Sequence, residues 1–360
     1  MTITESLYKE IDSGREGHLQ GYSMGMPKLE SIIDGITKRT LYVVGAPSGV
    51  GKTSFVLHSF IYRALIEHID DDNFKILFFS LEMNGIMIFA KLLSTYIFET
   101  YGKKLSVKKI LSRQKGYILD DESYELIKKS KDWMNKVESK LEVYDKSLNA
   151  DKLYAIVMKR LETLGSFSES ENRKVFTPYN SDLIYEIVID HIGLLKPTSG
   201  SKKAEIDKTV SYLITLRNMC DLAVVIVQQI NRQQGDVERF KLGRTAITLN
   251  DFKESADTTD GAEIVLAAYN PNRDKLNSYR GYDIKKLGNF FRMISVLKSR
   301  YGDSDYEIGV NYHGAENIWK EMPLPNDIYD YEKYLTPDYI LKEDNETKED
   351  NSNLTFDITL

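Results

Sequence analysis

The chain has 360 residues, 42% of them hydrophobic and 28% charged, a balance that suits a sizeable core and excludes bulk disorder. Its net charge is −6, but six acids against one base between Glu343 and Asp357 account for five of those charges, so global charge neither selects nor excludes a nucleic-acid partner. A single cysteine, Cys220, excludes an internal disulfide framework, and the five scattered histidines lack metal-ligand spacing.

The N-terminus has no basic start followed by an apolar stretch, and no run reaches the ~18 apolar residues of a membrane span. No membrane association and a reducing cytoplasm are therefore expected. Within residues 1–20, Ile3, Leu7 and Ile11 recur every four residues and predict a short linker helix with one narrow apolar stripe. It would either fray or dock on a neighbouring subunit.

From 21 to 330, apolar runs of strand length alternate with stretches of helical period. That is the pattern of an α/β domain with a mostly parallel central sheet flanked by helices. The candidate strands are 41–44, 75–80, 141–144, 185–190, 222–227, 263–268, 293–298 and 307–312. Residues 331–360 form an acidic tail whose composition predicts disorder, ending in an apolar tip at Leu354, Phe356, Ile358 and Leu360.

The first strand opens through a glycine-rich turn into an amphipathic helix, the setting of a phosphate loop. Its residues are Ala46, Pro47, Ser48, Gly49, Val50, Gly51, Lys52, Thr53 and Ser54. Gly49 and Gly51 let the backbone approach phosphates, and the amides that follow point at the anion from a helix N-terminus. Lys52 is placed to neutralise the β and γ phosphates of ATP or another nucleoside triphosphate, and the Thr53 hydroxyl to ligate Mg2+. The strict motif has glycine where Ala46 stands, with Gly45 just ahead.

Such a site needs a carboxylate at the end of a neighbouring strand. IYEIVIDHIGLL supplies Asp190 after a buried apolar run, where an unpartnered charge is costly unless it serves an ion; capping a following helix is the plain alternative. Position 191 is histidine, so the base that activates water comes from elsewhere. Glu82, after the apolar strand in KILFFSLEM, would reach the same edge of the sheet, unless it is an ordinary first-turn acid. The strand LAVVIV leads into Gln228 and Gln229, amides suited to sensing the γ-phosphate or to starting a solvated loop.

Together these segments resemble the ATPase domain of the hexameric, RecA-like replicative helicases of the DnaB type. APSGVGKT, SLEM, IVIDHIGLL, QQINR, DFKES and KSRYGD stand in the family's order and roughly its spacing, and the likeness spans about residues 20–325. It implies a RecA-like P-loop NTPase and an ATP-dependent DNA helicase working as a homo-oligomer, a hexameric ring, on single-stranded DNA. It makes Glu82 the catalytic glutamate, Asp190 the magnesium aspartate and Gln229 the γ-phosphate sensor. It also makes Arg300 an arginine finger acting in a neighbour's site, with Lys298 beside it.

Two polar stretches, KPTSGSKKAE and RQQGDVERFKLGR, would line the ring's hole. They offer Lys202, Lys203, Arg239, Lys241 and Arg244 to phosphates, or else are solvated loops. The family's strand-contacting segment nominates Lys253 and Glu254, with Ala256 where glycine is usual. Lys52 lies too close to the start to leave room for the family's helical collar, which recruits primase, so primase coupling by that route is not expected. Assembly is expected to rest on the ATPase domains, the Ile3–Ile11 helix or a partner chain; primase, a loader or another replication protein are the protein partners the resemblance implies. The rival readings are an oligomeric RecA-type switch and a recombination or loading ATPase that does not unwind.

Overall fold

A computed structural model describes residues 2–16, 21–170, 173–198, 200–230, 246–252 and 256–342. The central sheet comprises β1 (Leu41–Ala46), β2 (Phe74–Ser80), β3 (Leu141–Tyr144), β6 (Ile184–Asp190), β7 (Ala223–Gln229), β8 (Ile264–Tyr269), β11 (Phe291–Ser299), β12 (Tyr306–His313) and β13 (Ile318–Glu321). Two small hairpins stand apart, β4 (Gly165–Ser170) with β5 (Arg173–Pro178), and β9 (Ser278–Tyr279) with β10 (Tyr282–Asp283).

The nine strands lie in the order β13-β12-β11-β8-β1-β7-β6-β2-β3. The run from β8 to β3 is parallel, whereas β11, β12 and β13 add on as an antiparallel extension. Every residue of β1 and β8 is buried. Strands covered on both faces carry near-continuous apolar runs, so these sequences show no clean alternation. Alternation reappears in the packing: Leu41 and Val43 face one core with the helices Ala150–Leu164 and Lys202–Cys220. Tyr42 and Val44 face the other, with Phe55, Phe60 and Leu65 of the segment that follows the phosphate loop. In that segment Lys52–Val56, Leu57–Tyr62 and Arg63–His68 follow one another without a break, the middle portion wound in wider turns.

All eight expected strands form. The four-residue β13 is unforeseen, and so is the β4–β5 hairpin, in which Phe167 packs against the buried Phe176. The packed chain also continues past the boundary expected at 330. Tyr334, Tyr339 and Ile340 are buried, and Asn311 donates to the Tyr334 carbonyl at 3.0 Å and accepts from the Tyr339 hydroxyl at 3.1 Å. Three large side chains bury enough surface to hold residues 331–342 against the sheet, and the tail expected from 331 is thereby shortened. Its remainder, 343–360 with the apolar tip, lies outside the described residues.

The expected N-terminal helix is Ile3–Arg15. It is opened by a capping box in which the Thr2 side chain accepts from the Glu5 amide and the Glu5 carboxylate from the Thr2 amide. Leu7, Tyr8 and Ile11 are all exposed on it. Among the described residues no helix is long and apolar enough to cross a membrane.

Candidate nucleotide site and the cation pair at the opposite edge

The parallel strands set the site by register. Gly45 and Ala46 of β1 lie beside Gln228 and Gln229 of β7, and Ser80 of β2 lies beside Asp190 of β6. The C-terminal ends of four strands thus meet at one edge of the sheet, where open α/β sheets bind ligands. The Ile230 amide donates to Ala46 and the Leu81 amide to Asp190, so each strand end is tied to its neighbour.

From Ala46 the chain turns through Pro47–Val50 and enters a helix at Lys52. Gly49 and Gly51 have φ of 74° and 113°, in the region glycine adopts most readily. At Gly51 there is a second reason for glycine: an added Cβ would lie 3.0 Å from the Trp319 ring. Ser54 is buried and its hydroxyl contacts the Tyr312 hydroxyl at 3.1 Å and the Lys91 ammonium at 3.3 Å.

Lys52 and Asp190 are both buried. Burial pushes Lys52 below its usual range, with Arg273 adding to the effect while Asp190 and Glu82 oppose it. Burial likewise raises the Asp190 carboxyl, to about 6; the Thr53 hydroxyl and Lys52 draw it down and the Glu82 charge pushes it up. These mutual influences place Lys52, Thr53, Glu82 and Asp190 in one cluster. Among the described residues neither Asp190 oxygen has a hydrogen-bond partner of good geometry. A bare carboxylate beside a threonine hydroxyl suits a hard cation that takes oxygen ligands, and Mg2+ usually draws only one or two carboxylates from a protein. No cluster of three or more His, Cys, Asp or Glu able to hold a metal is present among the described residues.

Glu82 is exposed in the turn after β2, a turn closed by the Ser80 hydroxyl donating to the Met83 carbonyl at 2.6 Å. Gln229 is half-buried and, with Pro47, Ser48, Tyr269 and Arg273, lines a cavity of about 520 Å³ beside the loop.

Sequence reasoning missed two groups here. Arg273, in the turn after β8, donates to the Ser48 carbonyl and so holds the tip of the loop. Arg292, at the start of β11, is buried and donates to the Val50 carbonyl at 2.7 Å. Neither belongs to a recognisable motif; each arrives from a strand far along the chain.

Lys298 and Arg300 stand elsewhere. Because β11 runs antiparallel to β8, Ser299 lies beside Ile264 at the start of β8. The Arg300 amide donates to Glu263, whose own amide donates to Leu41, the first residue of β1. Five residues separate Leu41 from Ala46, so the pair sits roughly 17 Å along the strands from its own loop, at 3.3 Å per residue. Lys298 donates to the carbonyls of Thr259 and Asp260 at 2.8 and 2.9 Å. Arg300 donates to Asp260 and pairs with Glu263 at 3.3 Å.

Lys202 and Lys203 are exposed at the start of the helix Lys202–Cys220, after the turn that follows Asp190. Arg239, Lys241, Arg244, Lys253 and Glu254 lie outside the described residues.

A mostly parallel sheet with a phosphate loop after its central strand and an antiparallel extension defines the RecA-like class of P-loop ATPase folds. Comparison with known proteins narrows this. Residues 21–317 match the family model described as the DnaB-like helicase C terminal domain, and the chain belongs to that family. It is 24% identical over 262 residues to the replicative DNA helicase DnaB of Helicobacter pylori (strain ATCC 700392 / 26695), covering 72% of this chain and 46% of that protein. The chain thus spans about half the length of this curated relative. Two solved structures share the fold. One is described as an ATPase domain, with a TM-score of 0.67 at 17% identity over 89% of this chain and 99% of that one. The other is a DnaB-like replicative helicase described with its interactions with primase, with a TM-score of 0.66 at 17% identity over 89% and 68%.

Proposed function

We propose that the chain is the motor of an ATP-dependent DNA helicase of the DnaB type, hydrolysing a nucleoside triphosphate at subunit interfaces to move along single-stranded DNA during replication. The observation that carries this is the separation of parts within one subunit. Loop, buried carboxylate and glutamate stand at one edge of the sheet, and the cation pair stands at the other. Charge developing on a transferring phosphoryl group needs cations in place, and Lys298 and Arg300 serve that purpose only in an adjoining copy. A closed ring, here a hexamer, gives every site such a neighbour.

Within the site, Lys52 and the amides from Gly49 to Ser54 bind the β and γ phosphates, while Thr53 and Asp190 hold Mg2+, which supplies charge neutralisation when bound. Glu82, exposed and beside both, orients and deprotonates the attacking water. Gln229 faces the cavity next to the loop and reports loss of the γ-phosphate to the chain that follows. Lys202 and Lys203 meet the strand together with Arg239, Lys241, Arg244, Lys253 and Glu254. Residues 1–20 serve as a linker whose helix, Ile3–Arg15, presents Leu7 and Ile11 to a neighbour, and 343–360 as an acidic tail. Primase is the first protein partner to test, since one structural relative is described with it; a loader is the second.

The test uses two variants that fail alone. Lys52→Ala removes a site and keeps the cations; Arg300→Ala keeps the site and removes the finger, at a cost of ~10³-fold or more in turnover. Mixed, they should regain hydrolysis, and wild type should displace the strand of a labelled fork. Full activity of Arg300→Ala by itself rules out the shared site. Hydrolysis without strand displacement, stimulated by protein and not by DNA, points to an oligomeric switch instead.

A further inference from the structure

The two ends of β11 touch different things. At its start, the Arg292 guanidinium is buried under the sheet extension. Nε donates to the Val50 carbonyl at 2.7 Å, Nη1 donates to Asn289 and Phe291 carbonyls at 2.9 and 2.7 Å, and the plane lies 4.8 Å from the centre of the Tyr312 ring. The local carbonyls and the ring fix the fork, so Nε has one direction to point, and that direction is the phosphate loop. The same ring touches Ser54 through its hydroxyl.

At its far end, the strand delivers Lys298 and Arg300, re-aimed by a bulge between Val296 and Lys298. Eight residues of extended chain separate Arg292 from Arg300, roughly 27 Å at ~3.4 Å per residue. In between, β11 is paired on both sides, with β8 and with β12, and Met293, Ile294 and Val296 are buried. From Phe291 to Val296 the strand is held by β12, and from Met293 by β8 as well, so it moves as a unit and not by bending, because packed interiors transmit displacement. Beyond Val296 the pairing with β8 carries the movement on to Ser299.

We propose that β11 is a strut joining the subunit's own phosphate loop to the cations that the subunit gives its neighbour, with Arg292 as the positioning residue that anchors it. Movement of Val50 on nucleotide binding or release pulls on Arg292, and Lys298 and Arg300 shift with it. Each site thereby reports its occupancy to the next site around the ring. This rests on the shared-site reading above and adds to it a named route between sites.

The experiment places Arg292→Met on one member of the complementing pair at a time, with ATP hydrolysis by the mixed full-length chains as readout. On the Arg300→Ala chain the substitution loosens the loop that binds the nucleotide, and the KM for ATP should rise. On the Lys52→Ala chain the loop that it loosens is already inactive, so hydrolysis reads only its effect on the strand that supplies the finger. There the expected result is a turnover roughly three- to tenfold lower at saturating ATP, the scale of a coupling between distant groups, with KM unchanged. Arg292→Lys on the same chain should recover part of the loss. Circular dichroism melting and sizing of the Arg292→Met oligomer separate this from misfolding. Undiminished turnover with the substitution on the finger-supplying chain overturns the strut. If the pair without Arg292→Met fails to regain hydrolysis, the shared site itself is what has failed.

Discussion

Strand β6 carries two buried carboxyl groups four residues apart, in contrasting surroundings. Glu186, towards its start, is fully buried and raised to about 8 by burial, and it accepts a hydrogen bond from the Tyr22 hydroxyl at 2.8 Å. Tyr22 in turn packs edge-on against His68 and Phe74. Asp190, at the end of β6, is as deeply buried, yet no well-placed donor meets either of its oxygens among the described residues. A carboxyl closed in by an aromatic hydroxyl is part of the packing. One that meets only the Thr53 hydroxyl, without good geometry, is costly to ionise and is the mark of a candidate binding position.

That contrast can be broken, and the largest effect should come at the bare end. Asp190→Asn is expected to lower hydrolysis on the order of 10²–10³-fold, the scale of losing one preorganised electrostatic contact, while leaving the melting temperature unchanged or higher. Equal losses of activity and stability would place Asp190 with Glu186 as packing. Next is Tyr22→Phe, which leaves Glu186 without that donor and should destabilise the fold by ~1–3 kcal/mol in urea titrations, with turnover per folded molecule unchanged. A drop in turnover there would mean that the two ends of β6 are not separate.

A last test sharpens the distinction by pH. Both groups hold a proton more tightly when folded than their ordinary values of 3.8 and 4.5 allow. The folded chain therefore binds more protons than the unfolded one between about 4 and 6 for Asp190, and between about 4.5 and 8 for Glu186. Stability in the absence of nucleotide should fall as pH rises through those windows. On the proposed role of Asp190 as a magnesium ligand, a bound magnesium nucleotide needs it ionised. The nucleotide should therefore remove the Asp190 share of the decline between about 4 and 6 and leave the Glu186 share, which alone continues from about 6 to 8. Melting curves from pH 4 to 8 with and without Mg2+ and a non-hydrolysable ATP analogue would show it; identical slopes would contradict the division of roles.

The parts legible in the sequence were those in which one segment carries its own signal. The loop from Ala46 to Ser54 announces itself by glycines and lysine between a buried strand and a helix. Asp190 does so by standing alone after four apolar residues in six, and the alternation of β and α runs points to the sheet. What could not be read depends on partners distant along the chain. Arg292 looks like any charged residue near a strand start until β11 is seen to lie beside β8 and β12, which bring it under Val50. Trp319 reaches Gly51 only through the same extension. The β4–β5 hairpin has few apolar residues to mark it and β13 is short, and Tyr334 and Tyr339 lie just before an acidic stretch that masks their packing role.

The contact between Gly51 and Trp319 also bears on how the protein is made. The phosphate loop leaves the ribosome early, but the ring that roofs it belongs to the last strand of the sheet, more than 260 residues later. Until then the glycine turn lacks that cover. A truncated chain ending before β13 should therefore emerge with a loop sequence that is complete and a nucleotide grip that is not.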